Sequence, residues 1–404
     1  MHILLIHQAF ASLNEAGGTR HYEIAHHLAQ HGHRVTIITS PVSYLTGKAK
    51  NGRIPWATRE TPEPGIKIIR AYVYPSLHKS FFHRLINFFS FMFSSFWIGL
   101  GVKNVEAVWG TSPPIFQGWT AWMLARLKGV PFVFEIRDLW PEFAIAIGVL
   151  KNKMLINMSY WLESFLYRHA DKIVVNSPGF IPFVSQRGGK GIELIPNGVE
   201  PGMFDPNSTG QSFRQENHLG NDFVVLYAGA HGISNDLDVI LSAAELTAEQ
   251  KEIRYVFVGD GKEKANLQQL AAEKHLDNVL FLPAVAKNEM EEVVAAASVC
   301  VAILKPLDLY KTTYPNKVFD YLAAGRPIVL AIDGVIREVV EAAHAGVFVR
   351  PGDSTEMAKV IVELYKDRSG TPKMGLNGRE YVCAHFDRSQ MAAQFEALFQ
   401  SMME

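Results

Sequence analysis

Short apolar runs alternate along most of this chain with longer stretches whose apolar positions recur at helical spacing. The opening Met1-His-Ile-Leu-Leu-Ile6 predicts a first strand, followed by a loop that holds Gly17-Gly18. A helix is predicted over about 19–31, with Ile24, Ala25 and Leu28 on its inward face. Gly32-His33 then turns the chain into a strand at 34–39. Further strands are predicted at 107–109, 131–136, 172–176 and 192–195, with a helix near 117–127 among them. A second series of the same kind has strands at 223–227, 254–258, 279–282, 299–303 and 327–331. Repeated strand–helix units imply parallel sheets covered by helices, so the fold class is α/β with two Rossmann-like domains. The connector falls near 196–201, and a polar loop runs on to about 221. Ligands of open α/β sheets bind beyond the carboxyl ends of the strands. Two such domains facing across a cleft would hold a ligand between them.

Composition narrows the class. A chain of 404 residues is long enough for two domains, each with its own core. Cys300 and Cys383 fit neither a disulfide framework nor a zinc site, so a reducing compartment is expected. The first segment lacks a basic leader and a cleavage site, and reads as a strand rather than a signal peptide.

The formal net charge of -1 conceals a division. Residues 1–134 hold 13 Lys and Arg against 5 Asp and Glu, and the remainder holds 26 against 35. A basic first part suits an anionic partner, a membrane surface or a phosphate-bearing substrate; the plain alternative is a solvated surface. Nucleic acid is not expected, because no segment resembles a module that reads it. Within the basic part, the 18 residues 85–102 are uncharged, about the shortest length that spans a bilayer. His83, Asn87, Ser90 and Ser94 form one polar stripe there, while Phe88, Phe89, Phe91, Met92, Phe93, Phe96 and Trp97 fill the rest. Three placements stay open: a membrane interface or lipid acceptor, a protein core, or a span. The first would use Lys79, Arg84, Phe88, Phe91, Met92 and Trp97.

The most informative stretch is Tyr314-Pro-Asn-Lys-Val-Phe-Asp-Tyr-Leu-Ala-Ala-Gly-Arg-Pro327. Pro315 suits a first helical turn and Asn316 a cap, so a helix is predicted to begin here with exposed N–H groups. Such an end attracts anions, and Lys317 adds a full positive charge beside it. One turn on, Asp320 can accept hydrogen bonds from a ribose diol. Together these would clamp a nucleotide sugar. Gly17-Gly18 either joins strand to helix or lets the backbone approach a phosphate or sugar. Val258-Gly-Asp-Gly261 is an incomplete glycine fingerprint; it is an ordinary turn or lines a nucleotide pocket with Gly259 and Gly261. Arg137 and Asp138 end an apolar strand as either a catalytic or a structural pair. His21, His26, His27, His31 and His33 cluster in sequence, but no carboxylate or cysteine set completes a site, so no metal is expected.

Five ordered segments resemble a family-4 glycosyltransferase of the GT-B fold. They are the opening strand, the Gly17-Gly18 loop and helix through Gly32-His33-Arg34-Val35, Glu135-Ile-Arg-Asp-Leu-Trp-Pro-Glu142, Ile195-Pro-Asn-Gly-Val199 and Val258-Gly-Asp-Gly261. The Asp-Leu-Trp-Pro and Pro-Asn-Lys pieces are similar to the bacterial surface-polysaccharide branch that includes the WbuB-like N-acetyl-L-fucosamine transferases. The resemblance implies retaining sugar transfer from a nucleotide donor without a catalytic metal. It puts the nucleotide in the C-terminal domain and the acceptor in the N-terminal one. It also implies that a final helix over 378–403, with Phe386, Phe395, Leu398 and Phe399, returns to the first domain.

Two glutamates usual in the family's donor loop read Thr312 and Asp320 here. An arginine and a lysine that commonly clamp the diphosphate correspond to Ala230 and Asn235. Lys317, the helix start and His231 are expected to substitute. Arg137 stands where relatives often place a histidine on the donor sugar, and Asp138 would orient the acceptor hydroxyl.

The expectation is a retaining glycosyltransferase without a cofactor. It would move an N-acetylated hexosamine or deoxyhexosamine from a UDP-sugar to a polyprenyl-diphosphate-linked acceptor, in surface-polysaccharide synthesis. Its place would be peripheral, on the cytoplasmic face of the membrane. Residues 1–198 with 378–404 would bind the acceptor, and 199–377 the nucleotide sugar. A nucleotide-sugar 2-epimerase of the same fold and a non-catalytic nucleotide-binding partner are the alternatives.

Overall fold

The apolar run at the start of the chain becomes β1 (His2–Ile6), every residue of which is buried. The computed structural model describes residues 1–43, 47, 49, 54–75, 81–367 and 369–403. They divide into two units: Met1–Ser12 with Gly18–Pro196 and Ser389–Glu404, and Leu13–Gly17 with Asn197–Arg388.

In the first unit β1 is followed by α1 (Arg20–Gln30), β2 (Arg34–Thr39), β3 (Ala57–Glu63), β4 (Ile66–Ala71), α2 (Phe81–Leu100) and β5 (Ala107–Ser112). Then come α3 (Phe116–Lys128), β6 (Phe132–Ile136), α4 (Glu142–Ala146), α5 (Lys153–His169), β7 (Lys172–Val175), α6 (Ile181–Gln186) and β8 (Ile192–Leu194). The sheet order is β3-β4-β2-β1-β5-β6-β7-β8, parallel except where β3 runs against β4. Sequence patterning does not reveal that hairpin. β3 is an exposed edge containing Pro62, and Lys67 and Arg70 interrupt the apolar run of β4. Arg70 is covered by Glu60 of β3 at 2.7 Å.

The second unit contains α7 (Gln211–Glu216), β9 (Phe223–Ala228), α8 (Leu237–Leu246), β10 (Ile253–Val258), α9 (Lys264–Glu273), β11 (Val279–Leu282) and α10 (Met290–Ala295). It continues with β12 (Val299–Ile303), α11 (Asn316–Ala323), β13 (Ile328–Ala331), α12 (Val335–Ala342), β14 (Gly346–Phe348), α13 (Ser354–Lys366) and α14 (Gly370–His385). Its sheet is parallel throughout, ordered β11-β10-β9-β12-β13-β14.

The single helix expected over 378–403 is two. α14 stops at His385, and α15 (Arg388–Ser401) belongs to the first unit from Ser389 on. The break has a hydrogen-bond cause: the Val199 N–H donates to the Phe386 carbonyl, and the Arg388 N–H donates to that of Val199. Phe386 packs on Phe319 of the second unit at 4.9 Å, whereas Phe395 packs on Trp109 of the first at 4.7 Å.

Candidate functional site

The second unit's strand order reverses between β9 and β12, the point at which open α/β sheets bind ligands. The Tyr321 hydroxyl on α11 fixes the end of β9 twice. It accepts from the Ala228 N–H at 2.9 Å and donates to the Ala228 carbonyl at 3.0 Å. Lys317, one helical turn earlier, is thereby brought to the loop after β9. Its Nζ donates to Tyr227 Oη at 2.7 Å, sits 4.1 Å from that ring's centre and has Asn235 Oδ1 at 3.4 Å. Gly229 leaves the room, since a Cβ there would stand 3.1 Å from Nζ. Burial pushes the Lys317 ammonium down to about 7.

α11 begins at Asn316, and the flanking position is Pro315 in extended conformation (φ -68°, ψ 126°) with no side-chain cap. Asn316 is therefore the exposed first helical residue and not the cap, a correction to the sequence expectation. The uncapped first turn and Lys317 make one electropositive end. Asp320 pairs through Oδ1 with Lys287 Nζ at 2.6 Å, and Lys287 lies 5.2 Å from the Phe204 ring centre. Thr312 Oγ1 donates to the Leu309 carbonyl at 2.6 Å.

Gly259 and Gly261 let two loops close on each other. A Cβ on Gly259 would lie 1.9 Å from the Gly229 carbonyl oxygen, and one on Gly261 would lie 2.3 Å from that of His231. The His231 N–H donates to the Asp260 carbonyl at 2.8 Å. Its ring is fully buried beside Tyr227, Phe257 and Phe281, and neither ring nitrogen has a partner among the described residues. Burial first, then Lys264 and Lys317, bring its pKa down to about 4. His231 is thus neutral at pH 7 and cannot replace a lost cation.

In the first unit, β6 carries a carboxylate inside an apolar strand. Glu135 is fully buried and accepts from Arg20 Nε at 2.8 Å, His21 Nε2 at 2.7 Å and Trp109 Nε1 at 3.1 Å. Arg20 also donates to the Ile195 and Pro196 carbonyls at 2.7 and 2.5 Å, so the first turn of α1 grips the segment after β8. Burial opposes the Glu135 charge, but His21 and Arg20 outweigh it and hold the carboxyl well below its usual range. Burial brings His21 down to about 4 despite Glu135. Arg20 is the permanent cation, so the cluster is an ionised Glu135 with a neutral His21 donating from Nε2. His7, just past β1, meets the His21 ring edge-on at 4.2 Å. It is fully buried, and neither of its nitrogens has a partner among the described residues.

Arg137 and Asp138 follow β6. The Arg137 N–H donates to the Ser112 carbonyl at 2.9 Å and Nη2 donates to that of Pro113 at 3.0 Å, which fixes the pair at the carboxyl ends of β5 and β6. Asp138 is solvent-exposed, yet the protein packed around it pushes its carboxyl up to about 6 against the pull of Arg137; contact with water tempers that push. Gly17 (φ 145°) and Gly18 lie exposed in the loop before α1.

α2 turns its polar stripe inward. Asn87 Nδ2 donates to the Tyr74 carbonyl at 2.5 Å, Ser90 Oγ accepts from the Tyr74 N–H at 2.8 Å, and Ser94 Oγ donates to the Tyr72 carbonyl at 2.6 Å. These satisfy the backbone just past β4, and the aromatics face outward: Phe82, Phe89, Phe93 and Trp97 are exposed. Phe91 is fully buried, so it is removed from the expected contact surface. Arg84, Phe88 and Met92 are half-buried, and Lys79 lies outside the described residues. Among the described residues no helix is long and apolar enough to cross a membrane, which excludes α2 as a span.

Arg20, His21, Glu135, His7 and Lys287 are not recognised as site residues from sequence. Glu135 left one trace, a lone carboxylate in the apolar run Phe132-Val-Phe-Glu-Ile136.

Two α/β units, each built on a predominantly parallel sheet, define a two-domain Rossmann-like architecture. Residues 16–198 match the family model of the glycosyl transferase 4-like domain, and residues 222–367 match that of the glycosyl transferases group 1. The chain belongs to the family-4 glycosyltransferases of GT-B fold and is a transferase. It is 22% identical over 386 residues to WcaI of Escherichia coli K12, which carries the provisional name of a colanic acid biosynthesis glycosyl transferase. That match covers 92% of this chain and 93% of the relative. Sucrose-phosphate synthase from Thermosynechococcus elongatus superposes with a TM-score of 0.80 at 20% identity, covering 100% of this chain and 99% of that one. HepE of Anabaena in complex with UDP-glucose superposes with a TM-score of 0.73 at 17% identity, covering 99% and 100%.

Proposed function

We propose that this transferase takes a UDP-sugar, transfers it with retention, and extends a polyprenyl-diphosphate-linked acceptor in bacterial surface-polysaccharide synthesis. The observation that carries the donor half is Lys317, held by α11 against the glycine-lined end of β9. Departure of a nucleoside diphosphate leaves negative charge on its phosphates, and a preplaced ammonium beside uncapped N–H groups stabilises it. Asp320 takes the ribose diol, with Lys287 fixing one carboxylate oxygen. The uridine assignment draws on the UDP-glucose complex of a protein of the same fold. The polysaccharide assignment draws on the name of WcaI. Sugar specificity for an N-acetylated hexosamine or deoxyhexosamine follows from the sequence resemblance.

On the acceptor side, Asp138 orients the attacking hydroxyl, and a donor phosphate oxygen helps to receive its proton. The basic first part and the aromatic outer face of α2 suit a lipid-borne acceptor at the cytoplasmic leaflet. A UDP-sugar panel tests the reading, with polyprenyl-diphosphate-linked sugars as acceptors and mass spectrometry and anomer analysis of the product. Transfer with retention is expected. UDP-sugar turnover that needs no acceptor would favour the epimerase, and an inverted product would exclude the retaining mechanism. Lys317→Ala should weaken UDP-sugar binding by about 1.5–3 kcal/mol, roughly tenfold to a hundredfold. Unchanged donor binding in that variant would remove Lys317 from the site.

A further inference from the structure

α2, α3 and α5 form one layer over the first unit. Phe88 and Phe89 of α2 meet Phe116 of α3 at 5.7 and 5.3 Å, and Trp119 of α3 meets Trp161 and Phe165 of α5 at 6.1 and 5.0 Å. Its outer side is apolar at both ends. On α5, Met154, Met158 and Trp161 are 66%, 57% and 60% exposed, and their spacing of four and three places them in one stripe. An ordinary surface helix would carry mixed charges on that stripe.

The charge of the layer has a single sign. α2, α3 and α5 carry Arg84, Arg126, Lys128, Lys153 and Arg168 but one acid, Glu163. That acid is buried and engaged by Arg187 and by Tyr167 Oη. Lys128 is turned to the Leu100 and Val102 carbonyls and Arg84 is half-buried, whereas Arg126, Lys153 and Arg168 are exposed, so the three helices present apolar and basic groups outward and no carboxylate of their own.

We propose that this face docks on an anionic lipid bilayer and that the Met154–Met158–Trp161 stripe of α5 is a second seat, separate from α2. The proposal deepens the lipid-acceptor reading and rests on it only for the leaflet involved. Trp and Met enter the interfacial zone, while Lys and Arg beside them reach the phosphates. A second copy of the chain fits worse. A twofold contact through this face would set bases against bases with no acid to answer them.

The full chain is sedimented with vesicles of phosphatidylglycerol and phosphatidylcholine in equal parts, and with phosphatidylcholine alone, over a range of salt. Binding to the anionic vesicles that weakens with salt is expected. The triple variant Met154→Ser, Met158→Ser, Trp161→Ser should bind them about tenfold more weakly with its UDP-sugar affinity intact. Arg126→Gln with Lys153→Gln should lose about fivefold per charge, on anionic vesicles only. A Met158→Cys protein carrying a polarity-sensitive label, which keeps the fold, should shift its emission to the blue on vesicles.

Wild-type affinity of the triple variant, or an unmoved label, overturns the α5 seat. If Phe89→Ser, Phe93→Ser, Trp97→Ser detaches the protein in the same assay, the lipid-acceptor reading survives that result. A dimer in solution that ignores vesicles and becomes monomeric in the triple variant assigns the face to a second copy and ends the proposal.

Discussion

Lys317 shares its ammonium between a phenol oxygen and an amide oxygen, neither of which carries a negative charge. With its pKa brought down to about 7, a sizeable part of the population is neutral at physiological pH. A diphosphate favours the charged form and raises that pKa again, so donor binding must take up a proton. Calorimetry in buffers of different ionisation enthalpy near pH 7.5 should register net uptake, and UDP affinity should fall as pH rises from about 7. Absence of uptake in the wild type, or uptake that persists in Lys317→Ala, would assign the proton elsewhere. The start of α11, and with it the place of Lys317, was legible because Pro315, Asn316 and the apolar run after them mark a helix start. Lys287 and Glu135 were not. Their meaning lies in partners 33 and 115 residues away, and no local pattern records such a pairing.

At the scale of elements, the buried parallel strands were read well because their apolar runs are short, dense and bounded by turns. The β3–β4 hairpin escaped because its edge strand is exposed and polar. α2 shows a different limit: periodicity found its two faces, but not which faces inward. Here the polar face is inside because the chain past β4 leaves backbone groups that need hydrogen bonds. The glycine pair after β10 offers a test at this scale. Gly259→Ala places a methyl against the Gly229 carbonyl and should cost about 1–3 kcal/mol or more while loosening the loop beside Lys317. Thermal denaturation with and without UDP would report both effects. A wild-type melting temperature with full stabilisation by UDP would contradict the close approach.

Across the whole molecule, both units bury imidazoles that stay neutral. Burial lowers His7 well below its ordinary value and brings His21 and His231 down to about 4. The unfolded chain binds protons at these positions near 6.5, so it gains protons over the folded chain as pH falls. The stability they contribute is complete above about pH 6.5 and is lost between there and about 4, at about 1.4 kcal/mol per pH unit for each histidine. Melting temperatures should therefore drop steeply over that window, and the slope should lessen in His231→Phe. A flat profile between pH 6.5 and 4 would mean that these rings are protonated in the folded state.

The bridge that ends α14 has a consequence for the chain as a thread. Val199 is hydrogen-bonded to Phe386 through its N–H and to Arg388 through its carbonyl, so the segment between them leaves and returns at one point, like a bead tied at its neck. Its ends are already together, and a homologous segment of different length could be exchanged there without a new entropic cost of closure. The segment could then be transplanted as a cassette, cut at 198 and 388, while the first unit keeps its own sequence; if the proposed donor site is right, donor preference should travel with it.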